Sequence, residues 1–559
     1  MKGFKSTTLA TLLSRILGMV RDVVMAAIFG MSGSRVMDAF VMAFRGPDLF
    51  RRLFAEGILS VSYLPDFTRL WQEDRPGAWR LFSGVFYFLL GGLLIVTIGI
   101  EVILGGILYW ANLSESTRLT LELSVIFFPY ILFVCLLGQL SATLHGLLHF
   151  RLPALAPVVL NTIWLLTLGV GVWSFTDAKA QVYTLAFGIL LAGGVNLIWH
   201  WKLLRKKGLF LSSPRDQRER TWGVFRRFFP MAIGLSAIQL NTLFDGIMAW
   251  AFTKSAASIP GSLESAGYNG GRWLEFFSWD GTLALSQGAA TATYYGERLY
   301  MLPVGLLGVV VATISYPLLV KLAQQKGGKE RLGEVLVQRM QLLFFLALPA
   351  SVGLAMLSYE TVALLFQRGA FSEADTIRTA AVVASYGVGI WAFSLLPLLV
   401  RSYFALGSYT IPLWVTIGVL GAGIVTNLPL LYFFQEWGMA LGTSCLAIVQ
   451  TFLLMWWYPR EGNQATSLWS PLRASVIRST IASVFMGLAV WGTGILGRFL
   501  FDRGEGTSWG NPLLERGALV AVPVIVAIGV YFLAHKILKG PELGLLFQMK
   551  KNDLAQTEY

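Results

Sequence analysis

Charge lodged within apolar sequence constrains this chain more than any other feature. Residues 13–30, LSRILGMVRDVVMAAIFG, are apolar enough to enter a bilayer yet carry Arg15, Arg21 and Asp22. Residues 38–65, DAFVMAFRGPDLFRRLFAEGILSVSYLP, carry Asp38, Arg45, Asp48, Arg51, Arg52 and Glu56. An arginine or aspartate at the centre of a membrane helix costs about 2.5–3.5 kcal/mol on insertion scales, so such side chains normally face a protein interior or a wet cavity. Several arginines converging on one cavity would form a receptor for an anion.

With 55% hydrophobic and 13% charged residues, the 559-residue chain is far more apolar than a soluble domain. Apolar stretches of spanning length recur from end to end without the alternation of a barrel, so the expected class is all-α and polytopic. Fourteen spans are predicted, near 6–29, 38–62, 81–109, 120–147, 154–175, 181–203, 225–252, 288–318, 336–357, 378–406, 411–434, 438–458, 476–497 and 517–538. Lys2 and Lys5 precede an apolar run in the manner of a signal peptide, but Arg15 and Arg21 interrupt that run and no small-residue cleavage site follows. The first helix is therefore expected to be retained. Cys135 and Cys445 fall in separate spans and suggest no disulfide framework.

The net charge of +13 is spread over alternate loops, which argues against nucleic acid as a partner. Basic residues crowd 202–227, 321–331 and 460–473, while the opposite loops are poorer or balanced. The positive-inside rule then puts both termini in the cytoplasm, in keeping with an even number of spans.

The polar stretch RKKGLFLSSPRDQRER (205–220) reads as a linker between two six-helix blocks. The expected organisation is an N-lobe over 1–204, a basic cytoplasmic linker over 205–221, a C-lobe over 222–460, and two further helices with a cytoplasmic tail over 461–559. LSVSYLPDFTRL (59–70) and TISYPLLVKL (313–322) sit at equivalent points of the two blocks, as do the fourth-to-fifth junctions. Two correspondences in one register favour a duplicated bundle with a pseudo-two-fold axis along the membrane normal, where substrate contacts lie between the halves. The connection 255–287 is long, and its Arg272–Leu285 part suits either a short interfacial helix or a loop packed on the bundle.

In the second span Asp38, Arg45 and Arg52 recur every seven residues and share nearly one helical face, with Glu56 a turn beyond. Gly46-Pro47 interrupts that helix, as is common where a span lines a cavity. Two readings are open. The charges form an anion site suited to phosphate, which the planar guanidinium fork favours, or they pair internally, as Arg21–Asp38 or Arg52–Glu56. In the second block Arg298 follows Glu297 inside TATYYGERLYMLPVGLLG (291–308). No GxxxxGK[ST] sequence, catalytic carboxylate pair or Ser-His pattern occurs, so a transporter is expected rather than an enzyme.

The two N-terminal stretches, YYGERLYMLPVGLLGVVVATISYP and LLFQRGAFSEADT (364–376) together resemble the MurJ/MviN lipid II flippases of the multidrug/oligosaccharidyl-lipid/polysaccharide exporter superfamily. The resemblance covers nearly the whole chain. It implies a bacterial inner-membrane protein that moves lipid II, the undecaprenyl-pyrophosphoryl-disaccharide-pentapeptide, to the periplasmic leaflet for peptidoglycan synthesis. Membrane lipids and cell-wall synthesis proteins are the other partners it implies. The family's cavity arginines match Arg15, Arg21, Arg51 and Arg298, and its cavity acid matches Asp38. Family Lys-Leu-Pro-Asn is Arg45-Gly46-Pro47-Asp48 here, and family Ala-Asp-Arg is Gly296-Glu297-Arg298. A cation and an acid are thereby kept at 45 and 297, whereas Asp48 puts charge where the family has an amide. Arg45, Arg52 and Glu297 complete the predicted substrate-binding set.

No organic cofactor is expected, and the driving force is Na+ or the membrane potential. The resemblance suggests a sodium site built from Asp245, Asn427 and Thr443. The alternative is Asp245 bonded to Asn241 or to a neighbouring helix, or cycling a proton. The rival function is a cation-coupled multidrug exporter, or an exporter of another polyprenyl-linked oligosaccharide, with the same fold.

Overall fold

Inside lipid, long apolar segments can satisfy their backbone N–H and C=O groups only within themselves, and that selects helix. The computed structural model describes residues 2–33, 35–55, 58–213, 218–235, 237–252, 285–325, 327–458, 468–501, 512–542 and 544, and they are helical almost throughout. The elements are α1 (Lys2–Phe29), α2 (Arg35–Ala55), α3 (Ile58–Glu73), α4 (Arg75–Trp110), α5 (Glu115–Phe127), α6 (Tyr130–Gly146), α7 (Arg151–Ser174), α8 (Ala178–Lys206) and α9 (Arg218–Leu235). They continue as α10 (Ala237–Ala251), α11 (Ala289–Val304), a π-helical turn (Gly305–Val309), α12 (Val310–Ala323), α13 (Gly328–Met356) and α14 (Ser358–Phe366). The last are α15 (Glu373–Ala405), α16 (Thr410–Trp456), α17 (Trp469–Phe501) and α18 (Pro512–Ile537).

Among the described residues ten helical segments are long and apolar enough to cross a membrane. The predicted spans 6–29, 38–62 and 225–252 are not among these ten; their described residues are helical almost throughout and carry charge, such as Arg15, Arg21 and Asp22 in the first. The predicted spans 411–434 and 438–458 both lie in α16, where Gln435 leaves helical geometry at φ 53°, ψ −144°. The Gln450 amide donates to Thr416 Oγ1 at 3.0 Å, and a Cβ on Gly438 would lie 2.2 Å from the Leu430 carbonyl oxygen. These contacts pair the two legs antiparallel, so α16 is a hairpin. Of the predicted connection 255–287 only 285–287 are described; Glu56 and the rest of that connection lie outside the described residues.

The chain forms two compact units: Met1–Trp250 with Arg368–Phe371, and Ala251–Gln367 with Ser372–Tyr559. In the first, α1 packs along α7, and α2 lies against α5 and α6. The RGAF sequence noted above ends α1: the Ala370 amide donates to the Ala27 carbonyl at 2.8 Å. Gly30 and Gly369 both take left-handed backbone, at φ +63° and +60°, which glycine adopts without steric cost. A Cβ on Gly369 would lie 2.2 Å from the Ala27 carbonyl oxygen, so the close approach also requires glycine.

In the second unit α15 is the central helix, touching α11, α12, α13, α14 and α16. α11 and α12 run parallel to it. Gly296 lies against Val382, Tyr300 stacks on Tyr386 and Phe393 at 4.6 and 4.9 Å, and Gly308 fits onto the Ser394 backbone. Glycine stands where family alanine was noted, and a Cβ on Gly296 would lie 2.6 Å from Val382 Cγ1. α17 and α18 pair and cover α13, with Tyr531 donating to the Phe345 carbonyl at 2.6 Å.

Gly369→Ala is expected to destabilise the full-length protein by about 1–3 kcal/mol, since it adds backbone strain to a backbone clash. The same change at Gly33, where a Cβ meets nothing within 4 Å, is expected to be neutral. Thermal unfolding in detergent checks both; equal melting temperatures would contradict the assignment.

Candidate functional site

The predicted arginines of the first unit fall into distinct settings. Arg21 is 8% exposed and Asp22 3% exposed. Arg21 Nε and Nη2 both donate to Asp22 Oδ1, at 3.0 and 2.8 Å, and Nη1 donates to Asn161 Oδ1 at 2.9 Å. The guanidinium carbon lies 4.3 Å over the Trp164 ring, so charge, hydrogen bonds and an aromatic face all hold one rotamer. Trp164 is fixed in turn by edge-to-face contacts with Phe40 and Phe44 and by its own N–H to Met25 Sδ at 3.2 Å. Asn161 Nδ2 donates to the Ser14 carbonyl at 3.0 Å, which ties α7 to α1. The predicted Arg21–Asp38 pair is therefore corrected to Arg21–Asp22, because adjacent residues bring acid and base together without a second helix.

One turn of α2 holds the second group. Asp48 Oδ1 accepts from Arg51 Nε at 2.8 Å, and Oδ2 accepts from Arg52 Nε at 2.9 Å. Spacings of three and four residues put both arginines over the same acid. Asp48, the charged departure from the family pattern, thus orients two arginines through one side chain. Arg51 keeps 27% of its side-chain surface exposed, against 10% for Arg52.

Arg45 and Asp38 are buried on α2, at 8% and 5% exposure. Arg45 lies flat on α10, where a Cβ on Gly246 would fall 2.2 Å from Arg45 Nε. Asp245, beside that glycine, is fully buried. Arg15 is not gathered with the others: it is exposed on a face of α1 shared with Leu12 and Ile16.

The second unit carries Arg298 on α11. Its Nη2 donates to Tyr294 OH at 3.1 Å and its guanidinium carbon sits 4.6 Å over the same ring, one helical turn back. Glu297 is buried beside it in sequence. Asn427 and Thr443 are buried in the α16 hairpin, where a Cβ on Gly442 would meet Asn427 Oδ1 at 2.2 Å. Asn161, Trp164, Gly246 and Tyr294 escaped the sequence reading. Asn161 had a signal, being a lone amide in an apolar span; the aromatic and glycine positions had none.

Arg21→Lys is expected to cost about 1.5–3 kcal/mol, since an ammonium cannot reproduce three directed donors under one ring. Arg15→Lys, on an exposed face, should leave the melting temperature unchanged. Comparable losses from the two would contradict the fixed setting of Arg21.

The model of the lipid II flippase MurJ family matches residues 25–261 and 278–501. A protein of Bdellovibrio bacteriovorus, described as a probable lipid II flippase MurJ, is 30% identical over 471 residues, covering 80% of this chain and 79% of that protein. One of Rhizobium tropici with the same description is 27% identical and covers 96% of this chain and 94% of its own length. A solved lipid II flippase MurJ in an inward closed conformation shares the fold with TM-score 0.70 at 21% identity, covering 95% of this chain and 98% of its own. A mutant form of the Vibrio cholerae MATE transporter VcmN shares it with TM-score 0.56 at 13% identity, covering 85% of this chain and 97% of its own. With more than half its length matched by that family's model, the chain belongs to the MurJ lipid II flippase family.

Proposed function

We propose that this protein is a lipid II flippase of the bacterial inner membrane, carrying the undecaprenyl-pyrophosphate-linked peptidoglycan precursor from the cytoplasmic to the periplasmic leaflet by alternating access. The observation that carries this reading is the Asp48–Arg51–Arg52 turn. It fixes two guanidinium groups on one acid and leaves Arg51 partly exposed. A guanidinium pre-set in one orientation loses little entropy on gripping a phosphate, and its fork suits two oxygens at once. Arg21 and Arg298 are likewise held in fixed orientations, Arg21 by Asp22, Asn161 and the Trp164 ring and Arg298 by Tyr294. Arg15 is the exposed member, able to reach a headgroup from its open face of α1.

The family pattern further supports both termini in the cytoplasm and an origin from two six-helix blocks split at 205–221. α17 and α18 stand outside those blocks and are the candidates for holding the lipid tail. Resetting of the carrier is assigned to the membrane potential or to Na+. One elementary charge moved through ~100 mV is worth about 2.3 kcal/mol, enough to bias a two-state carrier. Asp245, Asn427 and Thr443 offer the carboxylate, amide and hydroxyl oxygens that a hard cation takes. Asp245 belongs to the first unit and the other two to the second, so the sodium reading rests on donor chemistry. A multidrug exporter of the same fold would want acids and aromatics in its cavity rather than arginines.

The test is a leaflet-accessibility assay for lipid II in cells depleted of this protein and complemented with variants. Wild type should restore periplasmic exposure, while Arg51→Ala and Arg298→Ala should lower it at least tenfold and Arg15→Ala several-fold. Unchanged flipping by all three would remove the anion-site mechanism.

A further inference from the structure

Arg401 lies within the span formed by α15, four residues before that helix ends at Ala405. Its Nη1 donates to Thr313 Oγ1 on α12 at 2.6 Å, and among the described residues no carboxylate lies within ion-pair distance of it. Tyr316, one turn further along α12, lies within electrostatic reach of Arg401, and Tyr409, in the short link to α16, lies within reach of Tyr316. An arginine near a helix end commonly snorkels outward to the interface. Arg401 instead bonds inward. Thr313 lies eight residues before Lys321 on the same helix, roughly 12 Å deeper at 1.5 Å per residue. One bond to a neutral hydroxyl uses one of five donors and neutralises no charge. An unneutralised guanidinium at that depth is an expensive thing to keep unless an anion meets it.

The same seam carries Arg298. α11, the π-helical turn and α12 form one rod parallel to α15, and Arg298 and Thr313 stand fifteen residues apart on it, roughly 22 Å. A Cβ on Gly308 would fall 2.5 Å from the Ser394 carbonyl oxygen, so rod and α15 touch through backbone between the two sites and Arg401 is set at a fixed distance along the seam.

We propose that Arg401, with the hydroxyls of Thr313, Tyr316 and Tyr409, is a second phosphate subsite, nearer the cytoplasmic end of the second unit, which receives the phosphate of an anionic membrane lipid before Arg298 does. The guanidinium supplies charge and a planar fork, the tyrosine hydroxyls supply donors to the remaining phosphate oxygens, and the Thr313 hydroxyl, which donates to the Val309 carbonyl at 2.7 Å, holds the guanidinium in place. The proposal rests on the orientation and anion transport proposed above, since only a carrier loading from the cytoplasmic leaflet needs an entry site at this end.

Equilibrium binding of undecaprenyl diphosphate, phosphatidylglycerol and inorganic pyrophosphate to the full-length protein in nanodiscs tests it, in the wild-type and the Arg51→Ala backgrounds. Arg401→Gln is expected to weaken the binding of one of these probes at least fivefold, with partial recovery in Arg401→Lys and an unchanged melting temperature. Loss with undecaprenyl diphosphate alone assigns the subsite to the transported lipid. Loss with phosphatidylglycerol assigns it to a bulk lipid, and loss with pyrophosphate to free phosphate. Unchanged dissociation constants for all three probes in Arg401→Gln overturn the subsite. Should that variant fail to fold, unchanged constants in the Thr313→Val/Tyr316→Phe double variant overturn it equally. Binding that survives Arg51→Ala but falls with Arg401→Gln would uphold the subsite while counting against the first-unit anion site; the reverse would sink the subsite alone.

Discussion

The structure is organised around the need to hold positive charge inside a medium that excludes it. A guanidinium in apolar surroundings must be compensated, and the first unit achieves this with acids that are neighbours in sequence. Asp22 serves Arg21, and Asp48 serves Arg51 and Arg52. Local pairing has a consequence that pairing across helices would not. Arg51 and Arg52 are oriented from within their own helix, and a carrier that alternates between two states needs a grip that survives the change. Aromatic faces achieve the same without adding charge, Trp164 beneath Arg21 and Tyr294 beneath Arg298.

Glycine sets where helices can come close enough to place these groups. Gly246 accepts the side chain of Arg45, Gly296 and Gly308 bring α11 and the π-helical turn onto α15, and Gly30 and Gly369 close the end of α1. At each point a single carbon would collide with backbone or with a packed side chain. Acids thus orient Arg21, Arg51 and Arg52, while a glycine lets α10 come close to Arg45.

Much of this was legible in the chain. The helical class, the long apolar runs and the arginines in α1, α2 and α11 follow from composition and spacing, because bilayer physics leaves so few ways to satisfy a backbone or a buried charge. The pairing partners were partly misread. An Arg21–Asp38 pair was one of the readings left open, yet Arg21 takes the adjacent Asp22, since near neighbours in sequence reach each other at less entropic cost than residues on separate helices. The bend at Gln435 was legible only as a boundary between two predicted spans, since nothing in the residue type announces left-handed backbone.

The sequence by itself determined the class of fold, the family and the identity of the cations, because each depends on local composition and on motifs that survive without coordinates. The tertiary structure decided which cations are compensated and by what. Asn161 meets Arg21 from 140 residues away, and Thr313 meets Arg401 across 88. Such meetings depend on how closely helices pack, which rests on glycines whose role appears only when a neighbouring helix lies against them. Charge is written locally; its neutralisation, beyond the nearest turn, is a property of the packed bundle.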